Sequence, residues 1–169
     1  VAFLDGGFPL WQAEGRPLDN AIPTRAPKQF AGTPDPAMLV DAATLHAGLD
    51  SPELCLIDAR GPDRFRGENE TIDPVGGHIP GARNRFFKDN LEPDGRFKPA
   101  AVLRAEYLAL MAGAAPAQVV AQCGSGVSAC LDLLAMEIAG LHGARLYAGS
   151  WSEWCSDPAR PVARKGSID

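Results

Sequence analysis

The feature that most constrains the fold is a strand, a loop and a helix around Cys123. Apolar and β-branched residues over 119–122 end at this cysteine and predict a short buried strand. Over residues 128–139, Leu131, Leu134 and Ile138 recur at helical spacing. A loop of small residues joins the two. This order favours an α/β fold with the loop at the carboxyl end of a strand.

A cysteine in this loop stands where negative charge is stabilised. The helix that follows leaves its first backbone N–H groups without intrahelical acceptors, and its dipole attracts anions. Gly124 and Gly126 permit backbone conformations in which successive N–H groups converge on one point. These features favour a reactive thiolate at Cys123 over a cysteine that merely fills the core.

Three familiar catalytic loops differ from this one. The Gly-x-Ser-x-Gly elbow of serine hydrolases is absent around Ser125, and no Gly-Lys-Ser/Thr ending marks a phosphate-binding loop. A cysteine phosphatase would hold its phosphate with an arginine at the end of the loop, where this chain has Val127 and Ser128. An enzyme similar to a cysteine phosphatase or arsenate reductase stays as an alternative, although the missing arginine counts against it.

Strand and helix patterns alternate along the rest of the chain. Strands are predicted at 38–40 and 54–58, and helices at 42–49, capped by Asp41, and 100–112. Residues 61–99 form a long stretch rich in glycine, proline and charge, and such a loop in a compact domain is commonly functional. Since ligands of open α/β sheets bind at the carboxyl ends of strands, the loops after Asp58 and Gln122 are expected to form the site.

Composition excludes several classes of protein and of site. A formal net charge of −5 argues against a nucleic-acid partner. No apolar run approaches the roughly 18 residues of a membrane span, and the start lacks a signal pattern, so we expect no membrane partner and a cytoplasmic protein. The four cysteines and three histidines lack the spacing of a metal site, so no metal is expected. Cys130 is expected to pack rather than react.

The cysteine loop, residues 123–128, resembles the active loop of the rhodanese-like sulfurtransferases. It reads Cys123-Gly-Ser-Gly-Val-Ser128, which is similar in particular to the loop of the 3-mercaptopyruvate sulfurtransferases. Relatives that prefer thiosulfate typically carry basic residues after the cysteine. Four further segments follow in the family's order: Asp58-Ala-Arg60, Arg64-Phe-Arg-Gly67, Gly77-His-Ile-Pro-Gly-Ala82 and Gly149-Ser-Trp-Ser-Glu-Trp154. The resemblance covers the chain from about residue 35 onward.

The resemblance implies a fold and a reaction. The fold would be α/β, a rhodanese-like domain with a central, mainly parallel five-stranded sheet flanked by helices on both faces. The reaction would move a sulfane sulfur from 3-mercaptopyruvate or thiosulfate, through a persulfide on Cys123, to a thiol such as that of thioredoxin or to cyanide. No cofactor would be needed. A non-enzymatic sulfur carrier or regulatory module is the other alternative.

The resemblance also assigns roles to residues. Cys123 would be the nucleophile and Ser125 a proton donor, while the backbone of Gly124, Gly126, Val127 and Ser128 would stabilise the sulfur. Arg64 would bind the carboxylate or sulfonate of the donor, and Asp58 would support the site structurally. In the family's Gly-His-Ile-Pro-Gly segment the histidine, here His78, is mainly structural.

Two departures from the family bear on the assignment. Many 3-mercaptopyruvate sulfurtransferases carry a second carboxylate-binding arginine before the Gly-His-Ile-Pro segment, and residues 67–76 contain none. The family also polarises the loop serine with a histidine and an aspartate of an amino-terminal domain. Such a domain is therefore an expected partner of Ser125.

An internal repeat suggests where that domain would lie. Residues 3–11 are similar to residues 146–154, since both run from an apolar segment through a small-residue turn to a tryptophan. We expect residues 1–36 to be the end of a preceding rhodanese-like domain and a linker. The catalytic domain would span 37–158, with a tail over 159–169. The alternative is that residues 1–11 only add an edge element.

Overall fold

The computed structural model describes residues 2–33 and 35–164, which contain five strands and six α-helices. The strands are β1 (Leu39–Val40), β2 (Cys55–Asp58), β3 (Arg83–Asn84), β4 (Val119–Gln122) and β5 (Arg145–Tyr147). The helices are α1 (Gly7–Ala13), α2 (Ala42–Ala47), α3 (Pro62–Phe65), α4 (Ala100–Met111), α5 (Ala129–Ile138) and α6 (Ser150–Trp154). Short 3₁₀ turns cover Pro36–Met38, Phe87–Asn90 and Pro116–Gln118.

The five strands form one parallel sheet in the order β1-β5-β4-β2-β3. The apolar runs that predict β2 and β4 occupy the middle of this sheet, where both faces of a strand are buried. Their register pairs Ile57 with Ala121 and Asp58 with Gln122. Both strands therefore end at the same edge of the sheet, and the loops that leave them emerge side by side.

Helices cover both faces of the sheet, as expected. Alternate residues of the central strands face opposite sides, so Ile57 packs with α4 and α5 while Leu56 packs with α2 and α6. The first core includes Leu103 and Tyr107, and the second includes Trp151 and Trp154. None of the helices within 2–33 and 35–164 is long and apolar enough to cross a membrane.

Most predicted elements are found within one or two residues. Strand β4 and helix α5 lie where the sequence predicts them, and the carboxylate of Asp41 caps α2 by accepting from the Thr44 N–H at 2.7 Å. The differences are at ends. Met38 closes a 3₁₀ turn instead of starting β1, and α2 stops at Ala47, two residues before the predicted end.

The first and last described segments of the chain contact the rest of the domain. Helix α1 is found within the predicted repeat, but residues 2–4 before it form no strand. The Asp5 carboxylate accepts from the Phe97 N–H at 2.9 Å, and residues 16–33 are exposed and irregular. At the other end, Ala163 pairs with His78 through two backbone hydrogen bonds of 2.9 Å. Part of the predicted tail thus belongs to the packed domain, and residues 165–169 lie outside the described residues.

A buried polar network joins α4, α5 and the 3₁₀ turn at Phe87–Asn90. The Asn90 side chain donates to Asp132 Oδ1 at 2.6 Å and accepts from the Tyr107 hydroxyl at 3.0 Å. Asp132 Oδ2 has no hydrogen-bond partner in the described part of the chain. Burial raises the pKa of the Asp132 carboxyl to about 7. The folded protein therefore holds a proton on Asp132 at pH values where the unfolded chain has lost it.

Stability is expected to decline as pH rises from the ordinary aspartate pKa to about 7, because ionising Asp132 opposes its burial. Asp132→Asn removes this titration. In the wild type, the unfolding free energy measured with urea should fall between about pH 4 and about pH 8. In Asp132→Asn this fall should be smaller by roughly 1–4 kcal/mol. Asp157→Asn, which changes an exposed carboxylate, should leave the pH dependence as it is. An unchanged pH dependence in Asp132→Asn would contradict this account.

Candidate active site

The cysteine loop and the loop after β2 line one cavity at the carboxyl edge of the sheet. The two loops begin side by side because the Ala59 N–H donates to the Gln122 carbonyl at 2.9 Å, which continues the β2–β4 ladder. The cavity has a volume of about 340 Å³. Its lining includes Cys123, Gly124, Ser125 and Ser128 from one loop and Arg64 from the other.

The cysteine loop offers a row of free backbone donors beside the thiol. The N–H groups of residues 124–128 make no hydrogen bond to any acceptor in the described part of the chain. Gly126 shapes the row, because its φ of +81° lies in the left-handed region and a Cβ there would stand 2.5 Å from the Ala148 carbonyl oxygen. Free N–H groups in series are a binding site for an anion or for charge on sulfur.

Three hydrogen bonds fasten the cysteine loop to the first turn of α6. The Cys123 N–H donates to Ser150 Oγ at 3.0 Å, and the Cys123 carbonyl accepts from the Trp151 N–H at 3.0 Å. The Gly124 carbonyl accepts from the Ser152 N–H at 2.9 Å. Ser150 is fully buried, has a φ of +53°, and donates its own hydroxyl to the Tyr147 carbonyl at 3.0 Å. The sequence motif contains Ser150, but no pattern signals what its hydroxyl does.

Arg64 reaches the cavity from α3 and is held from behind by Glu70. Its Nε and Nη2 donate to the Glu70 carboxylate at 2.8 to 3.1 Å. A Cβ on Gly124 would lie 3.5 Å from Nη1, so this nitrogen is the one nearest the cysteine loop. Within the described residues Nη1 has no hydrogen-bond partner. The guanidinium is therefore fixed on one side and free to donate on the side of the loop.

Glu70 is well suited to this task. Its side chain is only 4% exposed. Burial would raise the pKa of its carboxyl, but hydrogen bonds from Arg64 and from the backbone N–H groups of Asp73 and Ile72 outweigh burial and hold the pKa below its ordinary value. Glu70 consequently stays ionised at neutral pH and keeps Arg64 in place. No pattern in residues 67–76 signals this role of Glu70.

The Asp58 carboxylate is ion-paired. It forms an ion pair of 2.7 Å with Arg60, and both side chains are buried. The Arg60 guanidinium also lies over the Trp151 ring, 4.7 Å from its centroid. His78 stacks on Phe65 with ring centroids 3.8 Å apart, and its Nδ1 is 2.8 Å from the Phe65 carbonyl oxygen. Both sets of contacts involve the segment that follows β2, so through them Asp58 and His78 contact that segment and not the cysteine loop.

The remaining residues named by the sequence differ in exposure and in whether they reach the cavity. Ser125 is exposed and lines the cavity, while the Val127 side chain is 74% exposed, so only its backbone can take part. The expectation that Cys130 packs is wrong, because its side chain is exposed on the first turn of α5. Asp73, Phe86 and Phe87 also line the cavity and have no signal in the sequence. Within the described ranges no cluster of three or more histidine, cysteine or carboxylate side chains is arranged to hold a metal ion.

Comparison with known families decides the classification. Residues 41–157 match the family described as the rhodanese-like domain, which is more than half of the chain. The chain belongs to the rhodanese-like domain family. The match spans β2, the cysteine loop and α6, so it includes every element that lines the cavity.

Named relatives of this rhodanese-like domain are sulfurtransferases. It is 53% identical to a protein of Pseudomonas aeruginosa named "Probable 3-mercaptopyruvate sulfurtransferase", covering 96% of this chain and 57% of that one. It is 35% identical to human 3-mercaptopyruvate sulfurtransferase and 34% identical to thiosulfate sulfurtransferase of Mus musculus, each over 91% of this chain and 52% of the relative. The chain thus spans about half the length of these relatives.

A solved structure supports the fold. The domain superposes with a TM-score of 0.80 on the anaerobic ergothioneine biosynthesis enzyme from Chlorobium limicola, crystallised with trimethyl histidine. The superposition covers 95% of this chain and 40% of that one, at 23% identity. At this identity the comparison shows the rhodanese-like fold and nothing about the ligand.

Gly126→Ala should disable the cysteine loop, because the new Cβ meets the Ala148 carbonyl in addition to the strain of the left-handed φ. Gly113→Ala is the matched control, since φ is +96° there but no atom lies within 4 Å of a Cβ. Strain alone should cost about 1–2 kcal/mol at both positions. Only Gly126→Ala should also slow the alkylation of Cys123 by iodoacetamide. The rate of this reaction is measured by mass spectrometry. Equal alkylation rates in the two variants would count against the role of Gly126.

Ser150→Ala should loosen the loop, because it leaves the buried N–H of Cys123 without an acceptor. The expected loss is about 1–3 kcal/mol of unfolding free energy, measured by urea denaturation, together with a changed rate of Cys123 alkylation. Ser156→Ala removes an exposed hydroxyl that donates to the Glu153 carbonyl at 2.8 Å, and it should change neither quantity. If the two variants behave alike, Ser150 does not hold the loop.

Proposed function

We propose that the protein is a sulfurtransferase that carries a sulfane sulfur as a persulfide on Cys123. The observation that carries this proposal is the row of five free N–H donors at residues 124–128 beside a thiol and next to the free Nη1 of Arg64. Such a site can stabilise charge on a sulfur and hold an anionic donor at the same time. The names of the relatives support the same activity.

The proposed first half-reaction moves sulfur from the donor to the enzyme. The Cys123 thiolate attacks the donor's sulfur, forming an S–S bond while the bond from that sulfur to the rest of the donor breaks with its electron pair. With 3-mercaptopyruvate the leaving group is the enolate of pyruvate, which takes up a proton that Ser125 can pass on. With thiosulfate the leaving group is sulfite, which needs no proton. Arg64 holds the carboxylate or sulfonate oxygens in either case.

The proposed second half-reaction transfers the outer sulfur from Cys123 to an acceptor. A thiolate, that of thioredoxin for example, or cyanide attacks the outer sulfur of the persulfide, and the Cys123 thiolate leaves. Donor and acceptor use the same cavity in turn, so ping-pong kinetics are expected. Cys123 and Arg64 supply the two functions that the cycle needs, and no cofactor takes part in this scheme. We place the reaction in the cytoplasm as an expectation of the same proposal.

We also propose that a second rhodanese-like domain precedes this one in the parent chain. The relatives are about twice as long as the matched region. The exposed segment 16–33 carries apolar side chains that the domain does not cover, with Ile22 93% and Phe30 90% exposed. A domain packed there would bury them, and it could bring the groups that polarise Ser125, which is exposed at the mouth of the cavity.

A phosphatase or arsenate reductase activity is less consistent with the site. Both need a cation within the anion-binding loop, and residues 123–128 carry none. A purely regulatory module is also less consistent, because the Cys123 thiol, the loop of free N–H donors and Arg64 lie at one cavity. The activity is therefore tested at the cysteine itself.

Incubation of the full-length protein with 3-mercaptopyruvate or thiosulfate should add one sulfur atom to Cys123, detected by intact-mass and peptide mass spectrometry. Cys123→Ser should take up no sulfur, since the nucleophile is gone. Cys130→Ser is the matched control, because it alters the exposed cysteine of α5 and should load as the wild type does. The proposal fails if neither donor loads the wild type, or if Cys123→Ser still takes up sulfur.

A further inference from the structure

The ion-paired groups beside the cavity include one more carboxylate than guanidinium groups. Arg60 is matched by Asp58 at 2.7 Å, and Arg64 is matched by Glu70 at 2.8 Å. A third carboxylate, that of Asp73, also lies beside Arg64, with Oδ2 3.2 Å from the same Nη2 that Glu70 uses. Two arginines thus face three carboxylates, and the surplus negative charge is that of Asp73.

Asp73 is placed to act on a bound ligand. It lines the same cavity as Cys123 and Gly124, and its side chain is only 7% exposed. Its Oδ1 has no hydrogen-bond partner in the described part of the chain, so only half of the carboxylate is engaged. A nearly buried charge is poorly screened by water and salt, and its effect therefore extends to any ion held at Arg64 Nη1.

The cysteine loop does not offset this charge. Gly124 and Ser125 are neutral, and residues 123–128 contain no lysine or arginine. Arg60 also lines the cavity, but its guanidinium is paired with Asp58. Recognition of an anion therefore rests on the free Nη1 of Arg64 and on backbone N–H dipoles. One anionic group can accept a hydrogen bond from Nη1 of Arg64. A second negative charge would meet no unpaired guanidinium and would be repelled by Asp73.

We propose that Asp73 is a specificity-determining residue that makes the site disfavour a doubly charged sulfur donor relative to a thiol that carries a single carboxylate. This inference rests on the proposed sulfurtransferase function and narrows its donor class. It assigns the discrimination to repulsion by Asp73 as well as to attraction by Arg64, so removing the Asp73 charge changes the choice of donor while Cys123 and Arg64 remain intact.

Asp73→Asn in the full-length protein tests the proposal, because asparagine keeps the shape of the side chain and removes its charge. The kcat/KM for thiosulfate should rise about tenfold relative to that for 3-mercaptopyruvate, since a charge acts more strongly on a dianion than on a monoanion. Asp157→Asn is the matched control: it removes the charge of another ion-paired carboxylate, one that lies outside the cavity, and should change the ratio less than twofold. Asp73→Ser repeats the test with a smaller neutral side chain.

Binding provides a readout that does not depend on turnover. In a Cys123→Ser background, Asp73→Asn should lower the Kd for thiosulfate more than the Kd for pyruvate, both measured by calorimetry. Unchanged ratios of kcat/KM and of Kd in the Asp73 variants would overturn the role of Asp73 while leaving sulfur transfer intact. If neither donor loads Cys123 in the wild type, the proposed function is overturned instead, and the Kd ratios still test the role of Asp73.

Discussion

The site depends on the attachment of the cysteine loop to the first turn of α6. Bonds from α6 occupy the carbonyls of Cys123 and Gly124, and Ser150 occupies the N–H of Cys123. The carbonyls of Cys123 and Gly124 thus accept from α6 and from none of the N–H groups of residues 124–128. The left-handed backbone of Ser150 and the close approach of Gly126 to Ala148 are the strained features that this arrangement requires. Strain at these two points leaves five donors free beside the thiol.

Ion pairs hold the other side of the cavity in place. Asp58 and Arg60 form a buried pair under the loop after β2, and Glu70 fixes Arg64 so that one guanidinium nitrogen remains free toward the cysteine loop. The same segment that fixes Arg64 also carries Asp73. One stretch of chain therefore supplies both Glu70, which orients Arg64, and Asp73, which we propose limits the charge of the donor that binds there. We propose that the cavity stabilises sulfur on Cys123 and disfavours a doubly charged donor.

The sequence predicts the fold well because its signals are local. Buried parallel strands such as β4 read as short apolar runs, and the helix after the cysteine loop has a clear apolar period. Motifs likewise predict Cys123, Gly126 and Arg64 as site residues. Contacts between distant segments carry no such signal: Ser150 to Cys123 and Glu70 to Arg64 depend on how loops meet after folding. The prediction that Cys130 packs is wrong because helical spacing alone does not say which face of α5 stays exposed.

The central claim is that the free N–H groups of the cysteine loop hold a sulfur on Cys123. A crystal structure of the full-length protein after treatment with 3-mercaptopyruvate tests it most directly. The account predicts density for one sulfur bonded to Cys123 Sγ and within hydrogen-bond distance of N–H groups of residues 124–128. Sulfur bound to Cys130 instead, or an outer sulfur on Cys123 that touches none of these N–H groups, would contradict it.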